Sequence, residues 1–559
     1  MKPRNLLPLQ LFAACLIGLL LGKFCFSTTK EKVELSLFNG KLSKLQSIIN
    51  IIDNKYVDHV NIDSLNELVI PGMLARLDPH TSYVPAKRIN ESEKKIVGYF
   101  YGIGIEHYTF DDTVTVVCII PGSPATKADI MPGDKIISVD STDVTGRTSK
   151  DKISAAMRGE RDSEAKLRLI RQGSDSILTT TIRRGNVPVP STSASYIIDS
   201  TTAYIKLDNF GDNSYIEFAK DVLRLKSDGA TKIIIDLREN LGGRLEQARL
   251  IAREILAQGD TITYTIGREN KTEDLYINSI DNGICQDMSV VCIVNSHTAS
   301  AAEILSAAIQ DNDRGVIVGR RTFGKGLVQS PIQMQDGSLI RLTTARYYMP
   351  SGRSLQKSYK NYDNDLPTRF KNGELDSASA FTPADTTKYF TKNGRVVYSK
   401  CGVMPDVFVP IDNTPLPHLA YKIDSALVTI RFALYKYNSL GHKDPQQYIH
   451  ALFDDEERTY DELIAYAMRH GIDIDPRKQK KAIAESFHAA MTSLKIDAYH
   501  VSGDENTSIF YYNCDDPDIK AAIDILNDED RYHQILNEKP STTTQDNGKT
   551  TIIRDKDRN

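Results

Sequence analysis

Between residues 200 and 348 four short runs, "TAYIKL", "KIIIDL", "SVVCIV" and "GVIVG", are apolar at nearly every position and rich in Ile and Val. A half-exposed strand would alternate. A run without alternation suits a strand covered on both faces, and such strands belong to mostly parallel sheets held between helices. Helical patterns fall between the runs, over residues 214–226, 244–256 and 301–309. The first is expected to open on a Ser214–Glu217 capping box and to close near Gly229. Strand–helix alternation of this kind describes an α/β domain around a buried sheet.

The chain has 559 residues, enough for about three or four domains. Residues 1–30 form a signal or membrane-anchor segment and 31–96 a helical module. In that module Leu42, Leu45, Ile49, Ile52, Tyr56, Leu65, Val69 and Met73 recur at helical spacing, and Pro71-Gly72 weakens the second run as one helix. "LDPHTSY", residues 77–83, reads as a turn. Residues 97–186 change to short β-rich runs punctuated by Gly, Pro and Asp, with one helix at 150–157, the pattern of a small binding module. The α/β core fills 187–412, with the polar stretch 358–400 as an insertion loop. Helices dominate 413–536: Leu419, Ile423, Leu427, Ile430 and Leu434 mark one face, and Asp475-Pro476 suits the cap and first turn of another. Residues 537–559 have the composition of a disordered tail.

A net charge of −4 argues against nucleic acid as the main partner, because phosphate binding needs a basic face. At the N-terminus Lys2 and Arg4 precede the uninterrupted apolar run "LFAACLIGLLLG". This resembles a signal-peptide core or short anchor with its basic side in the cytoplasm. No clear A-x-A cleavage site follows, so an uncleaved anchor exporting the rest is expected. The seven cysteines show no metal-ligand spacing. One or two disulfides in an exported chain and buried free thiols both remain open.

Function turns on Ser300. "SAAE", residues 300–303, fits a capping box, and caps far outnumber nucleophiles. Three features weigh against a mere cap. A hydroxyl between the end of "SVVCIV" and the start of a helix meets free amide donors and a helix dipole, both of which favour a developing oxyanion. "GRRTFGKGLVQS", residues 319–330, frames Lys325 with two glycines after an apolar strand; an amine desolvated in such a place can serve as general base towards a serine. "DLRENLGGRL", residues 236–245, brings Gly242 and Gly243 to a sheet end where side chains would block a ligand, although a plain turn explains it equally well.

"DLRENLGG", "NSHTASAAEILSAAIQDNDRGVIVG" and "RTFGKGLVQ" resemble the three signature blocks of the C-terminal processing (tail-specific) peptidases, serine proteases with a Ser/Lys dyad and a PDZ domain. "LDPHTSY", the PDZ-like "YGIGI…PGSPATKADIMPGDKIISVD" and "LTTARYYMPSGRSLQ…CGVMPD" match in the same order, so the resemblance spans roughly residues 40–412. It implies a ClpP/crotonase-like protease core with an inserted PDZ domain, and it makes the N-terminal helices a dimerisation or scaffold element. It also implies Ser300 as nucleophile, Lys325 as general base and Gln329 as the residue that orients the lysine. Oxyanion donors would be the amides of Ala301 and of the pair Gly242 and Gly243, Gly242 before its neighbour. In the PDZ region the amides of Gly102, Ile103 and Gly104, next to Ile105, would receive a peptide's C-terminal carboxylate while the peptide adds as a strand. Arg158 matches a position that couples peptide binding to the core in some members. Partners would be proteins with flexible apolar C-termini, with no metal or cofactor required, in the periplasmic cell envelope. Ala302 departs from the usual Ser-Ala-Ser-Glu pattern, a difference in packing that leaves the nucleophile in place.

Three rivals compete. Gly319-x4-Gly324-Lys325 has Walker A spacing, but Gly326 replaces the magnesium-binding Ser/Thr and a strand pattern follows where a helix is needed. His297 could serve a Ser–His hydrolase, though no Asp partner is evident. A PDZ-bearing adaptor on a silent protease fold would be expected to have lost Ser300, Lys325 or Gln329.

Overall fold

The computed structural model describes residues 42–89, 97–174, 176–383, 387–440 and 444–538. The apolar run at 11–22, Cys15, Cys25 and the tail 539–559 lie outside them. The chain divides into two compact units, 1–85 and 86–559.

In the first unit, helices Leu42–Lys55 and Ile62–Leu74 follow the apolar spacing, and Asn61 caps the second through the Ser64 amide (2.9 Å). Contrary to the expectation at Pro71, this helix runs through it. Proline falls in the last turn, where only one backbone bond is lost, and the Ala75 amide still reaches the Pro71 carbonyl (3.0 Å). The "LDPHTSY" turn is tied by Asp78, which accepts the amides of His80 and Thr81 at 2.8 and 2.7 Å.

The second unit begins with the β-rich module. Strands Ile105–Phe110, Thr113–Ile119, Lys135–Val139, Glu164–Ile170 and Leu178–Arg183 form one antiparallel sheet in that order. Glu164–Ile170 alternates exposed and buried residues, and Ala165, Leu167 and Leu169 meet Val114, Ile136 and Ile182 in the module's own core. Ile105–Phe110 pairs on one side only, so its other edge is free of ladder bonds among the described strands. Helix Lys150–Met157 is capped by Ser149.

The α/β core carries a six-stranded sheet ordered Thr192–Ile197, Thr202–Leu207, Lys232–Asp236, Ser289–Val294, Val316–Gly319 and Val407–Phe408. Only the first pairing is antiparallel. Helices Ser214–Ser227, Leu245–Ile255 and Ala301–Asp311 bury Ile233, Ile235, Val290, Cys292 and Ile317 on one face. Helices Pro517–Asn527 and Glu529–Asn537 of the C-terminal region bury Tyr204, Ile234, Val291, Ile293 and Val318 on the other. Both faces are therefore dry, which is why the strands show no alternation.

Several local expectations differ. Ser214 and Glu217 form no capping box. Asn213 precedes the helix, and Glu217 instead accepts the amide of Ser191 (2.6 Å), just before the strand Thr192–Ile197, and that of Thr192 (3.2 Å). Leu427 breaks the C-terminal face into two helices, His418–Ser425 and Val428–Ser439; it sits at φ 53° and is exposed. Asp475 closes a turn through the Arg477 and Lys478 amides, and the next helix starts later, at Lys480–Ser502. Residues 358–400 carry the helix Asp365–Lys371 and the hairpin Lys388–Phe390/Val396–Tyr398 rather than being loop throughout. Cys118, Cys285, Cys292 and Cys401 are buried free thiols and Cys514 is exposed and free, so the described cysteines form no disulfide. No helix among the described residues is long and apolar enough to cross a membrane.

The C-terminal helices also grip the β-rich module: Phe110 and Val117 join a core with Ile423, Phe432 and Leu494. His500 sits at this junction, 3.1 Å from Glu106 of the module and 2.8 Å from Glu505. Those two carboxylates raise the imidazole's pKa to about 10 against the effect of burial, and Glu106 is lowered in return, chiefly by its hydrogen bond to His500. A folded-state pKa above the free value means the cation stabilises most below about pH 6.5 and loses its effect as pH rises through about 10. His500→Gln should therefore lower the melting temperature at pH 7 by about 2–4 °C, and the difference from wild type should vanish above the titration, as read by thermal melts across pH.

Candidate active site

Strand Ser289–Val294 ends inside the sheet, and the chain then turns sharply into helix Ala301–Asp311. Thr298, fully buried, pins the turn by donating its hydroxyl to the Leu237 carbonyl (2.8 Å), and the Ala299 amide donates to the Asn240 carbonyl (2.9 Å). Ser300 follows at φ 58°, ψ −117°. An ordinary helix-capping serine keeps an extended backbone. Positive φ on a residue with a Cβ is strained, and such strain persists where surrounding contacts impose it, often at functional sites. The same kind of strand-to-helix corner exposes nucleophilic serines on other α/β sheets.

The "DLRENLGG" turn packs directly onto this corner. A Cβ on Gly242, at φ 94°, would fall 2.8 Å from the Ser300 Cβ and 2.9 Å from the Ala301 nitrogen. Glycine is thus required by close approach as well as by conformation. The Gly242 amide, expected to face an oxyanion, donates instead to Asn240 Oδ1 (2.8 Å). Among the described residues the amides of Gly243 and Ala301 carry no hydrogen bond.

Glu303 joins serine to lysine. Its carboxylate is fully buried and accepts the Ser300 amide (2.9 Å) and the Lys325 amide (2.8 Å) on one oxygen, and the Gly324 amide (2.7 Å) and the Thr322 hydroxyl on the other. Burial raises its pKa, and these four hydrogen bonds oppose the rise. The spacing suggested a cap; the second half of this carboxylate's work, holding the Gly-Lys-Gly loop, carries no periodic signal. Lys325 Nζ donates to Gln329 Oε1 (3.0 Å), with Gln329 on strand Leu327–Gln333. That strand, where a nucleotide-binding loop would lead into a helix, rules out the Walker A reading. His297 is half-exposed and pairs with Glu239 (3.1 Å), and no hydrogen bond joins it to Ser300.

Asp236 and Arg238 form a second cluster beside the glycine turn. Asp236 is buried and accepts from Tyr204 (2.8 Å) and Arg238 (2.7 Å). Burial would raise its carboxyl, but Lys206 and Arg238 hold it well below the usual range. Arg238 in turn reaches Asp516 (2.5 Å) and Asp518 (3.1 Å) of the C-terminal helices. A cavity of about 630 Å³ opens here, lined by Lys206, Arg238, Glu239, Asn295 and Asp518 but by neither Ser300 nor Lys325.

In the β-rich module Gly102 ends strand Tyr99–Gly102 and bridges to Arg158, whose guanidinium lies 5.0 Å from the Phe100 ring. The Ile103 amide, expected to meet a peptide carboxylate, donates to the Met157 carbonyl (3.2 Å). Gly104 has φ 87° and abuts Ser123, and Ile105 starts the edge strand.

Comparison with known proteins gives the class and then the family. Residues 201–366 match Peptidase family S41 and residues 115–171 match a PDZ domain: the chain is a serine-type peptidase carrying a PDZ domain. It is 34% identical to the carboxyl-terminal-processing protease of Synechocystis over 52% of this chain and 68% of that one. It is 30% identical to the carboxy-terminal processing protease CtpA of Bacillus subtilis over 62% of this chain and 74% of that one. The solved photosystem II D1 C-terminal processing protease aligns with TM-score 0.34 and 25% identity, covering 66% of this chain and 93% of that one. The chain belongs to the carboxyl-terminal-processing protease family.

Because Gly242 touches the Ser300 corner, Gly242→Ala should lower kcat/KM by about 100-fold or more, while the backbone strain costs about 1–2 kcal/mol of stability. Steady-state kinetics beside a denaturant melt will separate the two effects.

Proposed function

We propose that Ser300 is the nucleophile of this carboxyl-terminal-processing protease, Lys325 its general base and Gln329 the residue that orients the lysine. The observation that carries this reading is the strained Ser300 corner, whose amide shares the Glu303 carboxylate with the Lys325 amide while Gln329 holds the Lys325 amine. Neutral Lys325 takes the hydroxyl proton as Ser300 Oγ attacks the scissile carbonyl. The tetrahedral oxyanion meets the Ala301 amide and an amide of the glycine pair; Gly243 is the more available, since Gly242 must first leave Asn240. The amine product departs with the proton, and water then hydrolyses the acyl-enzyme.

A flexible protein tail with an apolar C-terminus is the substrate class in this reading. It would lie along the open edge of Ile105–Phe110, with its carboxylate at the Gly102–Gly104 turn. The sheet with helices on both faces suits a ClpP/crotonase-like core. The apolar N-terminal run supports a membrane anchor with the protease on the periplasmic side, and the N-terminal helices would serve self-association.

Purified full-length chain incubated with an unfolded protein ending in apolar residues should release fragments identifiable by mass spectrometry. Ser300→Ala and Lys325→Ala should each lower kcat/KM by on the order of a thousandfold or more, and His297→Ala should have a far smaller effect. Persistent cleavage by Lys325→Ala would break the dyad. Tail binding by wild type without cleavage would favour the adaptor alternative.

A further inference from the structure

The loop that carries Lys325 belongs to no strand or helix, so its buried carbonyls need partners from elsewhere. Glu303 takes the amides of Gly324 and Lys325, while those of Thr322, Phe323 and Gly326 go to Val403, Thr298 and Gln356. Three of the loop's carbonyls turn the other way, towards the helix that follows residue 364. There, on the helix Asp365–Lys371, the Arg369 guanidinium is 2% exposed and meets three consecutive carbonyls of that loop: Arg321 (3.1 Å), Thr322 (2.9 Å) and Phe323 (3.3 Å). Asp365, one turn earlier, fixes the fork at 2.8 Å and also binds the Lys357 amine (2.9 Å). Lys357 lies over the Phe323 ring at 3.8 Å, and its amide donates to the Gly324 carbonyl (3.0 Å). Arg321 is paired with Glu374, two residues beyond the same helix and its cap.

We propose that the helix Asp365–Lys371 is a brace for the general-base loop and that Arg369 is a positioning residue for Lys325. The inference rests on the reading of Lys325 as base. A planar fork satisfies three carbonyls at fixed angles, which an ammonium cannot do. With Glu303 holding the amides of Gly324 and Lys325 from the serine's helix, Arg369 closes the opposite side, and the lysine's Cα is fixed between the two. Without the fork, three consecutive carbonyls lose their shared partner, and the backbone that leads into Lys325 is free to shift relative to the serine corner. Displacement of about 1 Å at a reacting group is enough to cost a large factor in rate. Arg369 touches neither substrate nor the reacting atoms in this account.

The test uses the full-length chain and a quenched fluorescent peptide ending in an apolar residue, with active sites counted by end-point fluorophosphonate labelling. Arg369→Lys keeps a cation beside Asp365 and so should melt within a few degrees of wild type, with KM unchanged. Its kcat per labelled site should nevertheless fall by about tenfold or more. Asp365→Asn, which frees the fork without removing it, should move kcat in the same direction by less. A wild-type kcat per labelled site in Arg369→Lys would overturn the proposal, as would a loss explained wholly by fewer labelled sites or by a higher KM. Lys325→Ala runs alongside: turnover there would overturn the base assignment and the brace with it. An inactive Lys325→Ala beside an unaffected Arg369→Lys would refute the brace alone.

Discussion

The Glu303 carboxylate is the contact on which the site depends. It is buried without a cationic partner among its hydrogen bonds and is satisfied by two loop amides, one hydroxyl and the amide of Ser300. A buried carboxylate in that position is costly unless every acceptor site is used, so the groups around it are held in one arrangement. That arrangement joins the strained corner of one strand–helix turn to a loop that follows a different strand. The serine corner and the lysine loop are therefore held together by the packing itself.

The sheet explains why such a corner is stable. Parallel strands buried on both faces leave their carboxyl ends as the place where loops from several strands converge. Asn240, Asn295, Ser300 and Arg320 all follow such ends. The C-terminal helices supply the second face, and they reach the glycine turn through Asp516 and Asp518 on Arg238. They also hold the PDZ domain through His500 and the apolar contacts of Phe110. One helical region thus touches both the PDZ domain and the loop beside the serine.

The architecture was legible where a pattern is local. Runs such as "KIIIDL" announce a strand with two dry faces, and the alternate exposure and burial along Glu164–Ile170 follows directly from its alternation of polar and apolar residues. Ser300 and Lys325 stood out because their neighbours are small and a glycine frame is unusual around a lysine. What could not be read is pairing across distance. Arg369 meets carbonyls nearly fifty residues earlier, and Arg238 meets carboxylates some 280 residues later; neither separation has a periodic signature. The Ser214–Glu217 spacing misled because Glu217 found better donors in another strand. Asn240 likewise takes the Gly242 amide, which the glycine turn alone would leave open to a ligand.

The most direct measurement is the mass of the covalent intermediate. Acid quenching within milliseconds of mixing the full-length chain with an ester or peptide substrate should trap an acyl group. Proteolysis and tandem mass spectrometry should then place it on Ser300. An adduct on another residue, or steady cleavage with no trapped adduct even for the ester, would contradict the account.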